Sequence, residues 1–283
     1  MKNEPAINMG TNVVVLREGE LFLKGKNRRE FENKLVENLK TALRNTGVAF
    51  KDITLLRGRV LVYFWAEDEL KKALNIIRCI FGVQSFSKGV ITEKNIKKAK
   101  NELSEFFCDQ FKSFRVTATR QDKKFGLTSP QIEKELGQFI CEETGAKVDL
   151  KNHDREFLVE ICEKGIVVSA EKEMGAGGLP LGVGGKVAVL SGHEAASDAA
   201  ICLMRRGCRV VFFGNSPKNE TLRKYNNFSY VPCVLDWKSD ILGTMRKHKA
   251  KALAVGCGPK MAVKAKMKFS GCLVLAPLVG AGE

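Results

Sequence analysis

The chain has 283 residues, more than one ordinary core needs, so two or three compact units are expected. Hydrophobic residues make up 44% and charged residues 28%, a globular balance that excludes wholesale disorder. The longest apolar runs, such as Leu273–Gly282, fall short of the ~20 residues that span a bilayer, and the opening MKNEPAINMG has no apolar signal core, so membrane-spanning and secreted classes are set aside.

Lys and Arg number 47 against 32 Asp and Glu, a formal net charge of +15. The excess is uneven: residues 1–183 hold 31 basic against 26 acidic side chains, whereas 184–283 hold 16 against 6. Between Ile241 and Gly282 stand eight Lys and Arg and no acid. A field of this sign favours a polyanionic partner, nucleic acid first. The nine cysteines, at 79, 108, 141, 162, 202, 208, 233, 257 and 272, are widely spaced with no C-x-x-C, which argues against a disulfide framework or a zinc ribbon. They read as small buried hydrophobes in a reducing, cytoplasmic compartment, and no metal site is expected.

In chain order, Val13–Leu16 is a β-branched run, and Glu18-Gly19-Glu20 leads into a helix over about Asn27–Asn45. There Phe31, Leu35, Leu39 and Leu43 recur at i, i+4 spacing, with Gly47 as the stop. Ile53–Leu56 and Val60–Trp65 predict a hairpin turning at Arg57-Gly58; Glu67–Ile80 predicts a helix and Val83–Ile91 a closing strand. The order β-α-β-β-α-β is the ferredoxin-like pattern, complete by residue 92. Next come a helix over Glu93–Phe107, a strand over Ser113–Thr119, and a helix over Ser129–Thr144 with Ser129 as N-cap and Pro130 at N1. A hairpin of Glu156–Cys162 and Gly165–Glu171 completes this α+β unit. Gly175–Gly185, with six glycines in eleven residues, predicts a connector outside the core. Lys186–Leu190, a helix through Ala195–Arg206, and Arg209–Gly214 then form a βαβ unit with continuous apolar strands; Val231–Leu235, Leu253–Gly256 and Cys272–Leu275 are further strands. The last hundred residues therefore predict a doubly wound α/β domain.

Three stretches together resemble one family. REGELFLKGKNRREFE at 17–32 resembles the opening motif of the tRNA 4-thiouridine (thiamine-biosynthesis) sulfurtransferases. GAGGLPLGVGGK at 175–186 resembles the connector before their PP-loop domain, and LAPLVG at 275–280 a later strand and turn of it. The resemblance implies a ferredoxin-like domain over 1–92, a THUMP domain over 93–174, a glycine-rich linker over 175–185, and a shortened PP-loop domain, adenine nucleotide alpha hydrolase-like, over 186–283. It also implies that the first two domains grip the acceptor-stem region of tRNA, and that a PP-loop adenylates a uridine to which a cysteine persulfide delivers sulfur. A homodimer is a further implication.

The RNA-gripping half matches this pattern. Lys24, Lys26, Arg28 and Arg29 cluster at the start of the first helix, where backbone amides and the helix dipole add to the attraction for phosphate. Arg115, Arg120, Lys123 and Lys124 cluster about the THUMP strand and the loop after it, as phosphate contacts that position an RNA. Lys260, Lys264 and Lys268, with Lys266, make a basic face on a helix over Pro259–Phe269 suited to an RNA backbone or to a partner.

The catalytic half departs from it. A PP-loop reads SGGxDS, its glycines letting amides wrap a pyrophosphate. Here Ser191 and Gly192 are kept, but His193 replaces the second glycine, Glu194 adds a negative charge, and Ala195 and Ala196 replace the Asp and Ser. Only Ser197 and Asp198, two residues later, offer a hydroxyl and a carboxylate. The family's sulfur-accepting cysteine lies beyond the region matching LAPLVG, where this chain ends. Cys257, at a strand-to-helix turn, is the remaining candidate for sulfur chemistry, since a helix N-terminus lowers a thiol pKa. The leading expectation is a tRNA-binding protein of tRNA thiolation that presents its RNA to a separate sulfurtransferase, with no cofactor. The alternatives are a minimal ATP-dependent sulfurtransferase with an unusual loop and a structural subunit without RNA affinity.

Overall fold

The structure is a computed structural model that describes every residue except 1–9, 20–26, 108–109, 193–194, 216–221, 223, 226–232, 237, 257–258 and 280–283. The chain packs as two compact units. One comprises Met1–Arg17, Gly47–Arg78 and Ser85–Met174; the other comprises Glu18–Thr46, Cys79–Gln84 and Gly175–Glu283.

The predicted ferredoxin-like order is present as β1 (Thr11–Glu18), α1 (Arg28–Asn45), β2 (Asp52–Leu56), β3 (Arg59–Tyr63), α2 (Glu67–Ile77) and β4 (Val83–Thr92). It is followed by α3 (Ile96–Ser104), β5 (Ser113–Arg120), α4 (Ser129–Thr144), β6 (Lys147–Val148), β7 (Arg155–Cys162), β8 (Gly165–Ala170) and β9 (Glu173–Met174). In the first unit the strands join one nine-stranded sheet, β2-β3-β1-β4-β8-β7-β5-β6, with β9 on β4. The α4 cap lies one residue earlier than expected. Thr128, not Ser129, is the N-cap, because Gln131 three residues on can close a capping box, its Oε1 accepting from the Thr128 amide at 2.8 Å. Gly145, at φ +70°, ends the helix.

This sheet is curled onto itself. Between β3 and β7 lie three strands, so a flat sheet would hold the two about 19 Å apart at ~4.8 Å per strand. Yet Arg59 on β3 donates from Nε to Glu160 on β7, and Arg17 on β1 donates to the other oxygen of the same carboxylate and to Ser87 at 2.9 Å. Val13, Val15, Leu61 and Tyr63 meet Ile91, Cys162 and Val167 in one buried cluster inside the curl. Burial there pushes the Tyr63 phenol up to about 12 and raises the Cys162 thiol.

The second unit holds β10 (Lys186–Leu190), α5 (Ala196–Arg205), β11 (Arg209–Phe213), β12 (Cys233–Val234), α6 (Ile241–Lys247), β13 (Ala252–Ala254), α7 (Pro259–Lys268) and β14 (Val274–Leu275). Its strands pair in parallel in the order β12-β11-β10-β13-β14. Val187, Val189, Val210 and Phe212 bury one face against Ala196, Ala200, Leu203 and Met204 of α5; Ala188, Leu190, Val211 and Phe213 bury the other with Met245 of α6 and Ala262 and Ala265 of α7. Double burial explains why these strands are apolar without alternation.

The glycine-rich stretch is built into this unit and is not a connector outside the core. Ala176 belongs to the buried cluster with α5, and the backbone is tied down by Gly177 N to Val83 O at 2.8 Å, Leu179 N to Arg205 O at 2.9 Å and Gly182 N to Gly207 O at 2.7 Å. Asn38 of α1 donates from Nδ2 to Leu181 O at 3.0 Å. Among the described residues no helix is long and apolar enough to cross a membrane.

Glu160→Ala strands two guanidinium groups in the curl of the first sheet and should lower unfolding stability by about 3–5 kcal/mol in urea titration. A loss under ~1 kcal/mol would show that the network does not hold the curl.

Candidate RNA interface and nucleotide cradle

The loop after β10 sits where the order of the parallel sheet reverses: the chain runs from β10 out to β11 and β12, then returns to β13 on the other side of β10. Such a point opens a crevice at the carboxyl ends of the strands. Ser191 is bound to the neighbouring strand end, its amide and its Oγ both donating to Phe213 O, at 3.0 and 3.1 Å. Neighbouring backbones approach closely here. A Cβ at Gly214 would collide with Ser191 Oγ, and one at Gly256 would collide with Ala195 O. Gly192, at φ +112°, has no atom of the described residues within 4 Å of where a Cβ would stand.

The predicted nucleotide-binding residues therefore divide. Ser191 and Gly192 line the crevice. Ser197 lies in the first turn of α5 with its side chain buried, 1% exposed, and so belongs to the helix and not to the loop. Ala196, at the position of the motif hydroxyl, is fully buried in the apolar cluster. His193, Glu194 and Cys257 lie outside the described residues.

The basic candidates also differ in environment. Arg28 bonds Glu32 Oε1 at 2.5 Å and lies 3.7 Å from Glu18 Oε2, so its single charge is shared between two buried carboxylates. Arg29 is exposed beside it, while Lys24 and Lys26 lie outside the described residues. Arg115 is half-buried, opposite Glu156 in the β5–β7 register. Arg120 donates from Nη1 to Phe125 O at 3.1 Å and Leu127 O at 2.9 Å, closing the loop that follows β5. That loop presents Lys123 and Lys124, both exposed. Asp122 organises its base: the bond from Lys94 and the amide of Lys124 hold its carboxyl below the usual range.

One neighbour escaped the sequence reading. Gln121 donates from Nε2 to Arg57 O at 3.1 Å, which brings the exposed Arg57 at the β2–β3 turn beside the Lys123–Lys124 loop. No local signal marks this pair, because the curl of the sheet creates it across 64 residues. On α7, Lys260, Lys264, Lys266 and Lys268 are all exposed, with Val263 and Met267 among them. The cysteines depart from the expectation of burial. Of the seven described, only Cys162 is buried, and Cys202 and Cys233 are exposed. Among the described residues no three His, Cys, Asp or Glu gather as a metal site.

Comparison with known proteins bears on this geometry. Residues 13–87 match the ThiI ferredoxin-like domain and residues 92–171 the THUMP domain. The probable tRNA sulfurtransferase of Thermus thermophilus is 38% identical over 205 residues, covering 72% of this chain and 50% of that protein. Its counterpart from Thermococcus kodakarensis is 34% identical over 209 residues, covering 71% and 54%. PH1313 from Pyrococcus horikoshii superposes with a TM-score of 0.81 at 27% identity, over 96% of both chains. A 4-thiouridine synthetase in complex with RNA and bound ATP shares the fold at TM-score 0.74 and 23% identity, over 95% of this chain and 81% of that one.

Fold and matches together define a THUMP-domain protein that couples a ferredoxin-like domain to a doubly wound parallel sheet. The chain belongs to the tRNA sulfurtransferase family. It spans about half the length of the curated relatives it matches.

Two glycines test the packing with opposite signs. Gly256→Ala forces a methyl onto the Ala195 backbone and should cost about 1–3 kcal/mol. Gly137→Ala, in α4 with no atom of the described residues within 4 Å of where its Cβ would stand, should add about 0.5–1 kcal/mol. Thermal melts of the two variants should therefore move in opposite directions.

Proposed function

We propose that the protein is a cytoplasmic tRNA-binding member of the family that holds the acceptor-stem region of tRNA for thiolation and does not itself adenylate the base. The observation that carries the reading is the exposed basic loop of Lys123 and Lys124, shaped by Arg120 and joined by Arg57, within the matched THUMP domain. Cations on a braced loop meet phosphates at a fixed spacing and set the register of a bound RNA without reading its bases. Arg29 and the lysines of α7 are further phosphate contacts in this reading.

The second half of the proposal rests on the crevice. The α5 N-terminus could offer amides to a phosphate, but the positions of the motif carboxylate and hydroxyl are methyl groups, and one of them is sealed in the core. Ser197 does not replace the hydroxyl, because it is buried within α5. In the sequence, His193 and Glu194 stand where the motif has its second glycine and its variable residue. The crevice therefore fits ATP poorly, and a separate sulfurtransferase, acting on the RNA held here, would supply the adenylation and the sulfur. Homodimerisation belongs to the same proposal.

A retained crevice at the switch point favours one alternative: a minimal sulfurtransferase that uses ATP through this loop, as the ATP-bound synthetase of the same fold suggests.

One set of measurements separates these readings. The full chain should bind tRNA, with an affinity that falls steeply as salt rises. Replacing Arg57, Lys123 and Lys124 by Gln should weaken binding about tenfold and flatten the salt slope by about one for each phosphate that is no longer neutralised. With tRNA and ATP present, no AMP or pyrophosphate should appear; their release would establish the ATP-using alternative.

A further inference from the structure

In a parallel sheet the segments that enter the strands all lie along one edge, opposite the crevice just described. In the second unit the segments entering β10, β11 and β13 are Gly182–Lys186, Arg205–Arg209 and Arg246–Lys251. Together they carry eight Lys and Arg and no Asp or Glu. The charge excess of this domain is thus concentrated at the amino-terminal edge of its sheet.

Part of this has a local cause. Cations in the last turn of a helix complement its dipole, which accounts for Arg205 at the end of α5 and for Arg246 and Lys247 at the end of α6. Lys186, Arg209 and Lys251 have no such cause, since they stand at the starts of strands. They are nevertheless side by side: Lys186 is paired with Arg209 across β10 and β11, and the Lys251 amide donates to Lys186 O at 2.8 Å.

The three gather around a turn with glycine at 182, 184 and 185, whose one side chain, Val183, packs toward Gly207. A Cβ at Gly182 would lie 2.8 Å from Lys34 Cε of α1 and 3.2 Å from Arg209 Nε. At Gly185 it would lie 3.6 Å from the Lys251 stem. Both glycines have positive φ, +106° and +81°, so the turn suits no other residue well. Arg209, Lys251 and Gly184 are exposed, while Lys34 and Lys186 are half-buried. The acid beside them is Glu37. Its carboxyl is lowered first by the 2.7 Å bond from Lys34 and also by the charge of Arg209, so it stays ionised and cancels one cation of four.

We propose that this edge is a second RNA-docking surface, in which Lys34, Lys186, Arg209 and Lys251 hold backbone phosphates against the Gly182–Gly185 turn. The three glycines of the turn let a phosphodiester approach the backbone, and cations flank it on both sides. The partner is a polyanion with closely spaced phosphates, because four cations along one edge with a single acid among them exceed what one phosphate group needs. This edge adds to the contacts proposed above for Arg29 and the α7 lysines a further RNA contact of the second unit, away from the crevice. The inference rests on the tRNA-binding reading above.

The test is tRNA binding by the full chain from low to moderate salt, comparing wild type with a Lys186→Gln, Arg209→Gln, Lys251→Gln variant whose fold is checked by circular dichroism and melting. Affinity at ~0.1 M salt should fall by about tenfold or more, and the slope of log K against log salt should flatten by about two to three. Arg209→Lys alone should keep the slope. An unchanged slope in the folded triple variant overturns this surface while leaving the tRNA-binding reading intact. If wild type fails to bind tRNA at low salt, the tRNA-binding reading falls, and this surface with it. Should the triple variant misfold, Lys251→Gln alone decides: its stem only rests on Gly185, and its slope should flatten by about one.

Discussion

The shared carboxylate of Glu160 is the interaction on which the first unit depends. One acid accepts from two guanidinium groups whose strands are several places apart in the sheet, and this requires the sheet to curl strongly. Two cations on one carboxylate leave a net positive charge in a buried site. Further donors go to Ser87 from Arg17 and to Gly58 O, which accepts from Arg59 Nη1 at 2.8 Å. The arrangement is a linked network and so intolerant of piecemeal loss. Its consequence reaches the surface. The curl of the sheet brings the turn between β2 and β3 to the loop after β5, and so assembles Arg57 with Lys123 and Lys124 from distant parts of the chain. The basic loop and the buried ion network are two ends of one construction.

Strand and helix placement was legible where the local signal is strong. Lys186–Leu190 is found with the bounds its apolar run predicts, and α1 begins within a residue of its expected start. Both report burial directly, through apolar continuity or through i, i+4 spacing. The two-residue strands β6 and β9 escaped because two residues carry no period. The α4 cap was misplaced because Ser129 and Thr128 are both cap formers; only Gln131, at the spacing required by Thr128, decides between them.

Two misreadings share a deeper cause. Glycine content marked residues 175–185 as a connector, but the same glycines allow the backbone to pass close to α5 and α1 and so to be packed. Composition reports conformational freedom and is silent on whether tertiary contacts use it. The cysteines fail in the opposite sense: Cys202 lies in an apolar sequence context yet faces solvent, because α5 turns its alanines, Leu203 and Met204 to the sheet. For the site, single basic residues were visible as letters, but their division into structural and exposed was not. Arg28 and Arg120 spend their donors inside the protein, and Arg29, Lys123 and Lys124 do not.

The second unit separates two chemistries along the strand direction. At the carboxyl ends, close backbone approaches at Gly214 and Gly256 keep the chain tight at the switch point, while methyl groups stand at Ala195 and Ala196. At the amino ends, cations gather where the fold places no reacting group. These features respond to different demands. A crevice is kept by packing, since Ser191, Gly214, Ala195 and Gly256 interlock whatever binds above them. Surface charge has no packing role at a strand start, and like charges placed side by side repel in the free protein. Such repulsion is offset when a polyanion lies across them, and it contributes to affinity because that polyanion releases its own counterions. On the proposal that RNA docks there, the chemically plain end of the sheet is the end with a physical reason for the contact.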